Sequence, residues 1–533
     1  MKKIQSVLGG LLSAALLLTL AGCKDGNKPA ASSQTSSDTS LSLQESSQGG
    51  DGAESSESPA SGDVTSDAAS SPAGPSGSTT RTKTQGTSPT GTASKPTQAG
   101  ATGSRLYDDQ PENMGGYTFV LANPWMNRKA GADAGFVERL LHQRIDEVEK
   151  EYNCTIRITD FYAGMEALGP KIMAGDKVAD VMSMLPEMWI PAAGAGYLRP
   201  WNDVFDIIHE DDTRWLPAQM KTRLGGKSFI QQYERPSEGG AIVLWYNKDV
   251  LKAAGIKEDP AQLVQQNQWT WEKFREMLIK TTDGKSKFGL GWVDSYADPG
   301  RALAVSNGAS SVVEKGGSFT TTFTDPKYIA AMNFYDQIVN KDKTMKVYPA
   351  MKSETSWGNL PTVETLFTAF EKGNFAFLSG RMWYGTHLKE LETLNYGMVV
   401  YPKGPSASGY YTHSQTLGGY AMTSTNKDYK KSAKIFNAIA RPVKDFEDID
   451  MYESEVLSEF YQKGDTLSPK MLQLAVNNGV LDIGYSVRSL NDALTKAQMG
   501  SIFWGTGTVS SSFQTLKGIY DTDVKNVFSK LPK

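Results

Sequence analysis

The sequence predicts an α/β fold built around a parallel sheet, and three features of its folded part support this prediction. Strand-like runs of aliphatic and β-branched residues occur at 117–123, 155–161 and 178–185. The segments between them, 136–148 and 165–174, carry apolar residues at helical spacing. Strand, helix, strand, helix and strand in this order favour parallel pairing through right-handed crossovers.

Each of these elements has a local physical reason. Cys154 stands at the start of the second strand, where we expect a small buried apolar residue and not a nucleophile. Gly175 follows the second helix and is a natural helix stop. The first helix has a single apolar face, formed by Phe136, Leu140, Leu141, Ile145 and Val148.

The ends of the three predicted strands carry the first candidate site residues. In open α/β sheets, ligands bind beyond the carboxyl ends of the strands, so these residues should share one rim. An aromatic surface beside carboxylates and an amide suits a sugar-like ligand. The competing interpretation is that the aromatics belong to the core and the carboxylates to a solvated surface. The predicted rim consists of Asn123 and Trp125, Asp160 and Tyr162, and Glu187 and Trp189.

The amino terminus has the pattern of an export signal. Lys2 and Lys3 precede an apolar stretch, 7–20, that is too short to span a bilayer comfortably. The run Leu20-Ala21-Gly22-Cys23 resembles the lipobox of bacterial lipoproteins. This resemblance implies cleavage before Cys23, attachment of palmitate-type acyl chains to it, and anchoring on the extracellular face of the cell membrane, as in a Gram-positive bacterium. An ordinary signal peptide with an incidental cysteine is the alternative.

A polar linker is predicted between this anchor and the folded part. Roughly half of the residues from 27 to 105 are Ser, Thr or Gly, and the first aromatic residue of the chain is Tyr107. Such a segment cannot bury enough apolar surface to order itself. We therefore expect a signal peptide at 1–22, the lipidated Cys23 with a disordered linker to 105, and a folded part at 106–533.

Charge and motifs exclude several classes of function. Without Lys2 and Lys3 the chain has 53 basic and 59 acidic residues, a net charge of −6, which gives no electrostatic reason to expect nucleic-acid binding. The run Gly226-Lys227-Ser228 lacks the first glycine of a phosphate-binding loop. The four histidines are scattered, and the sequence contains no zinc-binding His-Glu-x-x-His run. We expect no cofactor, no metal and no catalytic residue, although a glycosidase needs only two carboxylates.

The central part of the chain resembles a known family. The motifs are Tyr246-Asn247-Lys248-Asp249 after a strand, Ala254-Gly255 at a helix end, and Thr270-Trp271 at the next helix start. They are similar, in order and spacing, to family 1 of the extracellular solute-binding proteins, the sugar-binding components of ABC importers. Further similar segments are 173–203, 323–340, 370–405 and 418–440, and the resemblance is poorer after 440.

The resemblance implies two α/β lobes of the periplasmic-binding-protein type, class II, with a hinge and an interlobe cleft. It implies a first lobe at about 115–240 and 415–445, and a second at about 245–412 and 446–533. It also adds three tryptophans to the candidate ligand contacts. Trp383 matches the position of an aromatic ligand platform in the family, Trp245 lies at the expected lobe crossing, and Trp292 follows a strand of the second lobe.

The function predicted from these observations is capture of a carbohydrate, of an oligosaccharide size, by a monomer that delivers it to the permease subunits of an ABC importer. Alternatives are a cell-surface glycoside hydrolase, a sensor lipoprotein, and an importer component for a peptide or another polar solute. The sequence does not indicate which sugar would bind or how many rings it would have.

Overall fold

The computed structural model describes the following residues: 110–126, 136–161, 165–210, 223–232, 240–352, 360–414, 418–441, 458 and 460–531. The chain divides into two units, Met1–Ser94 and Lys95–Lys533, and every described residue belongs to the second. The predicted signal peptide, Cys23, the linker and Tyr162 lie outside the described residues. No helix of the described part is long and apolar enough to cross a bilayer.

Fifteen strands occur in the described part of the chain. In chain order they are β1 Tyr117–Ala122, β2 Cys154–Thr159, β3 Val181–Met184, β4 Leu198–Arg199, β5 Arg223–Leu224, β6 Lys227–Ser228, β7 Ile242–Asn247, β8 Phe288–Trp292, β9 Val312–Lys315, β10 Ser318–Thr321, β11 Phe375–Arg381, β12 Tyr396–Val399, β13 Thr412–His413, β14 Gly419–Thr423 and β15 Gly479–Val480.

Helices cover both sheets and form most of the carboxyl-terminal region. The α-helices of the described residues are Phe136–Tyr152, Met165–Met173, Pro186–Gly194, Phe205–Ile208, Lys248–Ala253, Pro260–Gln265, Trp271–Lys280, Asp298–Ser306, Pro326–Asp336, Val363–Glu371, Gly385–Lys389, Tyr429–Ile439, Ser468–Asn477, Arg488–Met499, Val509–Gln514 and Lys517–Val527. Short 3-10 or π turns lie at Trp201–Val204, Gln337–Lys341, Pro349–Lys352, Met382–Tyr384, Ile483–Ser486 and Gly500–Trp504.

The first sheet has the strand order β2-β1-β3-β14-β4. Strand β1 pairs in parallel with β2 and with β3, which confirms the parallel arrangement predicted from the alternating strands and helices. Strand β14 comes from far along the chain and runs antiparallel to β3 and β4. Cys154 is buried, as predicted, and this burial raises the pKa of its thiol to about 11. A thiol with such a pKa is not an activated nucleophile at neutral pH.

The second sheet has the strand order β12-β7-β11-β8. Strand β7 runs antiparallel to both of its neighbours, whereas β8 and β11 are parallel. All six residues of β7 are buried, which explains its unbroken apolar run before Asn247. The side chain of Asn247 then caps the following helix by accepting from the backbone N–H groups of Asp249 and Val250.

Other helix boundaries agree with the predicted local signals. Thr270 caps the helix Trp271–Lys280 with its hydroxyl, which accepts from the backbone N–H of Lys273. Gly255 has φ +73° after the helix that precedes it, a conformation that glycine adopts without strain. A helix also begins at Pro326, although the side chain of Asp325 makes no capping hydrogen bond there.

Two backbone segments connect the two sheets and pair with each other. On the side of the first sheet, Gln231 pairs antiparallel with Tyr420; on the side of the second, Ala241 pairs antiparallel with Ser414. We call 231–241 and 414–420 the crossing segments. These two pairings stand where the chain passes between the sheets, which is the arrangement expected of a hinge.

The carboxyl-terminal helices contact both halves of the molecule. Arg301, in a helix beside the second sheet, donates to Asn491 and Thr495. On the other side, helix Pro186–Gly194 packs against the end of helix Lys517–Val527. The two are so close that a Cβ at Gly194 would lie 2.2 Å from the carbonyl oxygen of Val527. The carboxyl-terminal region therefore joins the helices of the two sheets at a distance from the crossing segments.

Candidate functional site between the facing edges of the two sheets

One edge of the candidate site is the carboxyl edge of the first sheet. Asn123 follows β1 and is almost fully buried; its Nδ2 donates to the Tyr420 hydroxyl at 3.4 Å and its Oδ1 accepts from the backbone N–H of Trp125. Asp160, after β2, and Glu187, in the first turn of helix Pro186–Gly194, are exposed. Parallel strands end at the same edge, so these residues lie along one rim as predicted from their positions.

Trp125 is the open aromatic side chain of this rim. Its side chain is 53% exposed, the highest value for any tryptophan in the described part of the chain. Leaving such a large apolar ring in water forgoes the free energy of burying it, so an exposed tryptophan at a rim has the form of a ligand platform.

The other edge is the end of the second sheet where β8 and β11 finish. Arg381 is the last residue of β11, and its Nε lies 3.4 Å from Oδ2 of Asp294, which follows β8. The Arg381 guanidinium stacks over the Trp383 ring, 4.9 Å from its centroid. The Tyr384 hydroxyl donates to the other carboxylate oxygen of Asp294. We call Asp294, Arg381, Trp383 and Tyr384 the arginine cluster.

The arginine cluster holds its guanidinium in one position. Asp294 has φ +71°, a left-handed conformation that is uncommon for a residue with a side chain. Backbone conformations of this kind persist where the surrounding structure requires them, and they concentrate at functional sites. With Asp294 on one side and the Trp383 face on another, the planar fork of donors on Arg381 is pre-organised for a pair of acceptor oxygens.

Glu187 and Arg381 lie close enough to interact electrostatically. Desolvation by the surrounding protein raises the pKa of Glu187, although its side chain is accessible to solvent. Arg381, on the opposite edge, acts on the same carboxyl group and lowers its pKa. A carboxylate that is accessible but largely surrounded by protein, with a guanidinium opposite, is what the floor of a cleft provides.

Three of the tryptophans that were predicted to contact the ligand are buried within the protein. Trp189, Trp245 and Trp292 are buried, each with 2% exposure or less. Trp245 packs edge-on against Tyr396, with ring centroids 5.9 Å apart, and Trp292 lies 5.6 Å from the Tyr296 ring. None of the three therefore presents an open ring face in this structure, because apolar packing has taken up the faces that a sugar would need.

Trp383 differs from these three because its side chain is only half buried. The Arg381 guanidinium lies over one face of its ring, 4.9 Å from the centroid. Ligand contact remains a prediction for all nine candidate residues. The structure brings Asn123, Trp125, Asp160 and Glu187 to one edge and Trp383 to the other.

Sequence reasoning missed two members of the arginine cluster, Arg381 and Tyr384, and gave Asp294 only a weak indication as a hydroxyl acceptor. Arg381 stands at the end of the strand-like run "FAFLSGR", two residues before the predicted platform, and strand-end position could have indicated it. Asp294 also follows a strand, β8, whereas Tyr384 has no such signal, because its role depends on a contact with a segment 90 positions away in the chain.

A buried polar network lies behind the arginine cluster. The Arg301 guanidinium lies over the Tyr485 ring, 4.3 Å from its centroid, and its Nη1 lies 3.5 Å from Oδ1 of Asp298. Desolvation raises the pKa of Asp298 to about 6, against the opposing effect of Arg301. Desolvation lowers the pKa of His413, on strand β13, to about 3, so this imidazole is neutral at physiological pH.

We expect Asp298 to make stability fall with rising pH. Its pKa is 3.8 for the ordinary carboxyl and about 6 in the folded protein, so the folded state binds the proton more tightly. The resulting stabilisation is present below pH 4 and is lost as pH rises to 6, a change of up to about 3 kcal/mol. Asp298→Asn should remove this component and be the more stable protein above pH 6.

The measurement is urea unfolding of both proteins at several values between pH 4 and pH 7.5. Asp160→Asn is the matched control, since it makes the same chemical change at an exposed position. Parallel profiles for the parent protein and Asp298→Asn would contradict the prediction.

The fold is that of the two-lobed substrate-binding proteins of known structure. An ABC substrate-binding protein of Listeria monocytogenes in complex with cycloalternan aligns with a TM-score of 0.53 and 18% identity, over 78% of this chain and 99% of its own. UgpB from Mycobacterium tuberculosis in complex with glycerophosphocholine aligns with a TM-score of 0.53 and 17% identity, over 77% of this chain and 99% of its own. The galacto-N-biose-/lacto-N-biose I-binding protein of Bifidobacterium longum in complex with lacto-N-biose aligns with a TM-score of 0.54 and 14% identity, over 78% of this chain and 98% of its own.

The family follows from the sequence match. The model of the bacterial extracellular solute-binding protein family matches residues 137–436, more than half of the chain, and the protein belongs to this family. A putative binding protein of Brucella abortus is 23% identical over 248 residues, 44% of this chain. The alignment spans about half, 55%, of that relative's length.

Proposed function

We propose that the protein is the lipid-anchored solute-binding component of an ABC importer and that it captures a carbohydrate between the facing edges of its two sheets. The observation that carries the proposal is the arginine cluster opposite Glu187. Trp383, with the Arg381 guanidinium over its ring, lies on one side, and the accessible carboxylate of Glu187 lies on the other.

This combination suits a sugar for two reasons. The faces of a sugar ring are apolar and stack on flat aromatic or guanidinium surfaces. The ring edges carry hydroxyl groups, which accept from the donors of Arg381 and donate to carboxylates such as Glu187. Structural relatives in complex with cycloalternan and with lacto-N-biose support this ligand class.

The same contacts explain how binding would be signalled. A ligand that touches both edges interacts more strongly when they approach, so it shifts the molecule toward a closed state about the crossing segments. The permease would recognise that state. Attachment at Cys23 would keep the binding protein beside the permease, and the polar linker would let it reach solutes near the membrane.

A thermal-shift screen tests the proposal. The purified full-length protein is heated with oligosaccharides, monosaccharides, amino acids, peptides and glycerophosphodiesters at millimolar concentration. A true ligand raises the melting temperature, since it binds the folded state and not the unfolded chain. A shift with one sugar class, with no product in the solution, supports the proposal. A shift only with peptides or phosphodiesters overturns the ligand class, and turnover of the sugar would instead favour a hydrolase.

Trp383→Ala is the first variant to examine with the sugar that binds. We expect affinity to fall by roughly tenfold, because the flat surface beside Arg381 is lost. The melting temperature should change little, because the ring is only half buried. Trp271→Ala is the contrasting variant: this ring is 4% exposed and stacks 4.5 Å from the Phe334 ring, so its loss should lower the melting temperature instead. A large drop for Trp383→Ala would mean that Trp383 serves the core.

A further inference from the structure

The guanidinium of Arg381 has a shape that suits two kinds of ligand group. Its planar fork of donors binds a carboxylate through both oxygens, and it also donates to two neighbouring hydroxyl oxygens of an uncharged sugar. Shape alone does not separate the two, since each offers a pair of acceptor oxygens. The charges around Arg381 do separate them, because an anion gives up its hydration at a cost that only an uncompensated positive charge offsets.

Asp294 already provides the counter-charge of Arg381. Its Oδ2 lies 3.4 Å from Nε of Arg381, and its other carboxylate oxygen accepts from the Tyr384 hydroxyl. The Asp294 side chain is 9% exposed and that of Arg381 22%, so the pair is partly withdrawn from water, where charges interact more strongly. Desolvation and the charge of Asp294 both raise the pKa of Tyr384, so this hydroxyl stays a neutral donor to the carboxylate.

Glu187 adds a second negative charge within reach of the same guanidinium. Desolvation raises the pKa of Glu187, and Arg381 is the cation that lowers it. The net direction is upward, so Arg381 offsets only part of the cost of surrounding this carboxylate with protein. One guanidinium is therefore shared by two carboxylates, and no positive charge of Arg381 is left over for an anionic ligand.

The buried pair behind the arginine cluster does not supply a further cation. Arg301 lies 3.5 Å from Asp298, and their side chains are only 5% and 3% exposed. Desolvation raises the pKa of Asp298, and Arg301 and then Arg381 lower it. Arg301 is thus enclosed with its own carboxylate, and Asp298 is one more acidic group that Arg381 helps to stabilise.

We propose that Asp294 and Glu187 restrict the ligand site to uncharged saccharides. This inference rests on the proposed function and deepens it. Asp294 acts as the counter-ion of Arg381, so that the guanidinium donates to neighbouring hydroxyl groups and does not bind a carboxylate. Glu187 accepts from a sugar hydroxyl and repels an anion. A saccharide that carries a carboxylate would lose hydration on entering the site and would meet two carboxylates beside one guanidinium.

Calorimetric titration of the full-length protein with matched saccharide pairs tests the inference. One member of each pair is a short gluco-, galacto- or manno-oligosaccharide, and the other is the same molecule with its terminal C6 alcohol oxidised to a carboxylate. For the pair whose neutral member binds, we expect the acidic member to bind the parent protein roughly tenfold more weakly.

Asp294→Asn should reduce this discrimination by about fivefold, because the counter-ion is lost while the shape is kept. Asparagine is also among the residues that adopt the left-handed backbone found at Asp294, so the variant should fold. Glu187→Gln, at an exposed position, should reduce the discrimination in the same direction.

Asp342→Asn is the matched control. Asp342 is 8% exposed and its Oδ2 lies 2.5 Å from Nε of Arg275, so the variant removes one carboxylate from a similar pair outside the arginine cluster. The ratio of the two affinities should equal that of the parent protein, because this pair does not face the ligand.

Two results would overturn the inference. One is an acidic member that binds the parent protein as tightly as its neutral counterpart or more tightly. The other is a ratio of affinities that neither Asp294→Asn nor Glu187→Gln changes beyond the change caused by Asp342→Asn. Failure of the proposed function is recognised separately: no saccharide, neutral or acidic, would then bind the parent protein, and this inference would fall with it.

Discussion

Gly194→Ala is expected to lower the free energy of unfolding by about 3 kcal/mol or more. Gly194 is buried at the end of helix Pro186–Gly194, and a Cβ there would lie 2.2 Å from the carbonyl oxygen of Val527 and 3.2 Å from its carbonyl carbon. The clash is with backbone, which cannot rotate away as the end of a side chain can. The carboxyl-terminal helix must therefore move off the first sheet's helix.

Urea unfolding of the variant and the parent protein measures this effect. Gly518→Ala makes the same chemical change within helix Lys517–Val527, where a Cβ would meet no atom within 4 Å. Because alanine favours a helix over glycine, that control should be unchanged or more stable by up to about 1 kcal/mol. Equal stability of Gly194→Ala and Gly518→Ala would show that the contact with Val527 is loose in solution.

Arg381→Ala should have the largest effect on ligand binding, a loss of about 100-fold in affinity. Hydrogen bonds that involve a charged group contribute roughly 1.5–3 kcal/mol each, and a hundredfold loss corresponds to about 2.8 kcal/mol. The variant loses the guanidinium donors together with the cation that lies over the Trp383 ring. Arg381→Lys keeps the charge but loses the planar fork of donors, so its affinity for the ligand should lie between that of the parent protein and that of Arg381→Ala.

Calorimetric titration with the sugar found by the screen gives these affinities. Arg275 provides the control, since it pairs with Asp342 in the same way but on the outside of a helix beside the second sheet. Arg275→Ala should leave affinity unchanged. If Arg381→Ala binds the sugar as tightly as the parent protein does, the arginine cluster is not part of the ligand site.

Local patterns were sufficient to predict the first half of the first sheet. Strands at 117–123, 155–161 and 178–185 correspond to β1, β2 and β3, and their parallel pairing is confirmed. Apolar periodicity determines these elements because each must bury one face or one run against its neighbours. The predicted burial of Cys154 is confirmed for the same reason.

The insertion of β14 beside β3 could not be predicted from local patterns. Strand β14 lies more than 230 residues after β3 in the chain, and a short buried strand such as "GYAMT" fits either sheet by its composition alone. Its place depends on how the crossing segments return the chain to the first sheet, where Tyr420 pairs with Gln231.

The positions of several candidate site residues could be predicted from the sequence, whereas their contact with ligand stays a prediction. Strand ends correctly indicated where Asn123, Asp160 and Glu187 would lie, because parallel strands end at one edge. The aromatic residues were harder, since a tryptophan near a strand end can turn outward, as Trp125 does, or inward, as Trp189 does. The difference depends on the helices that pack nearby.

The sequence by itself determined the elements of this protein and its family. Hydrophobic periodicity, capping residues and ordered motifs act over a few residues, so a linear reading recovers them. Only the tertiary structure decided which edges meet and which side chains stay accessible. The arginine cluster, for example, joins Asp294 to Tyr384 across 90 positions of the chain. Such properties depend on contacts between distant segments, and burial and electrostatics are set by everything that surrounds a group in space.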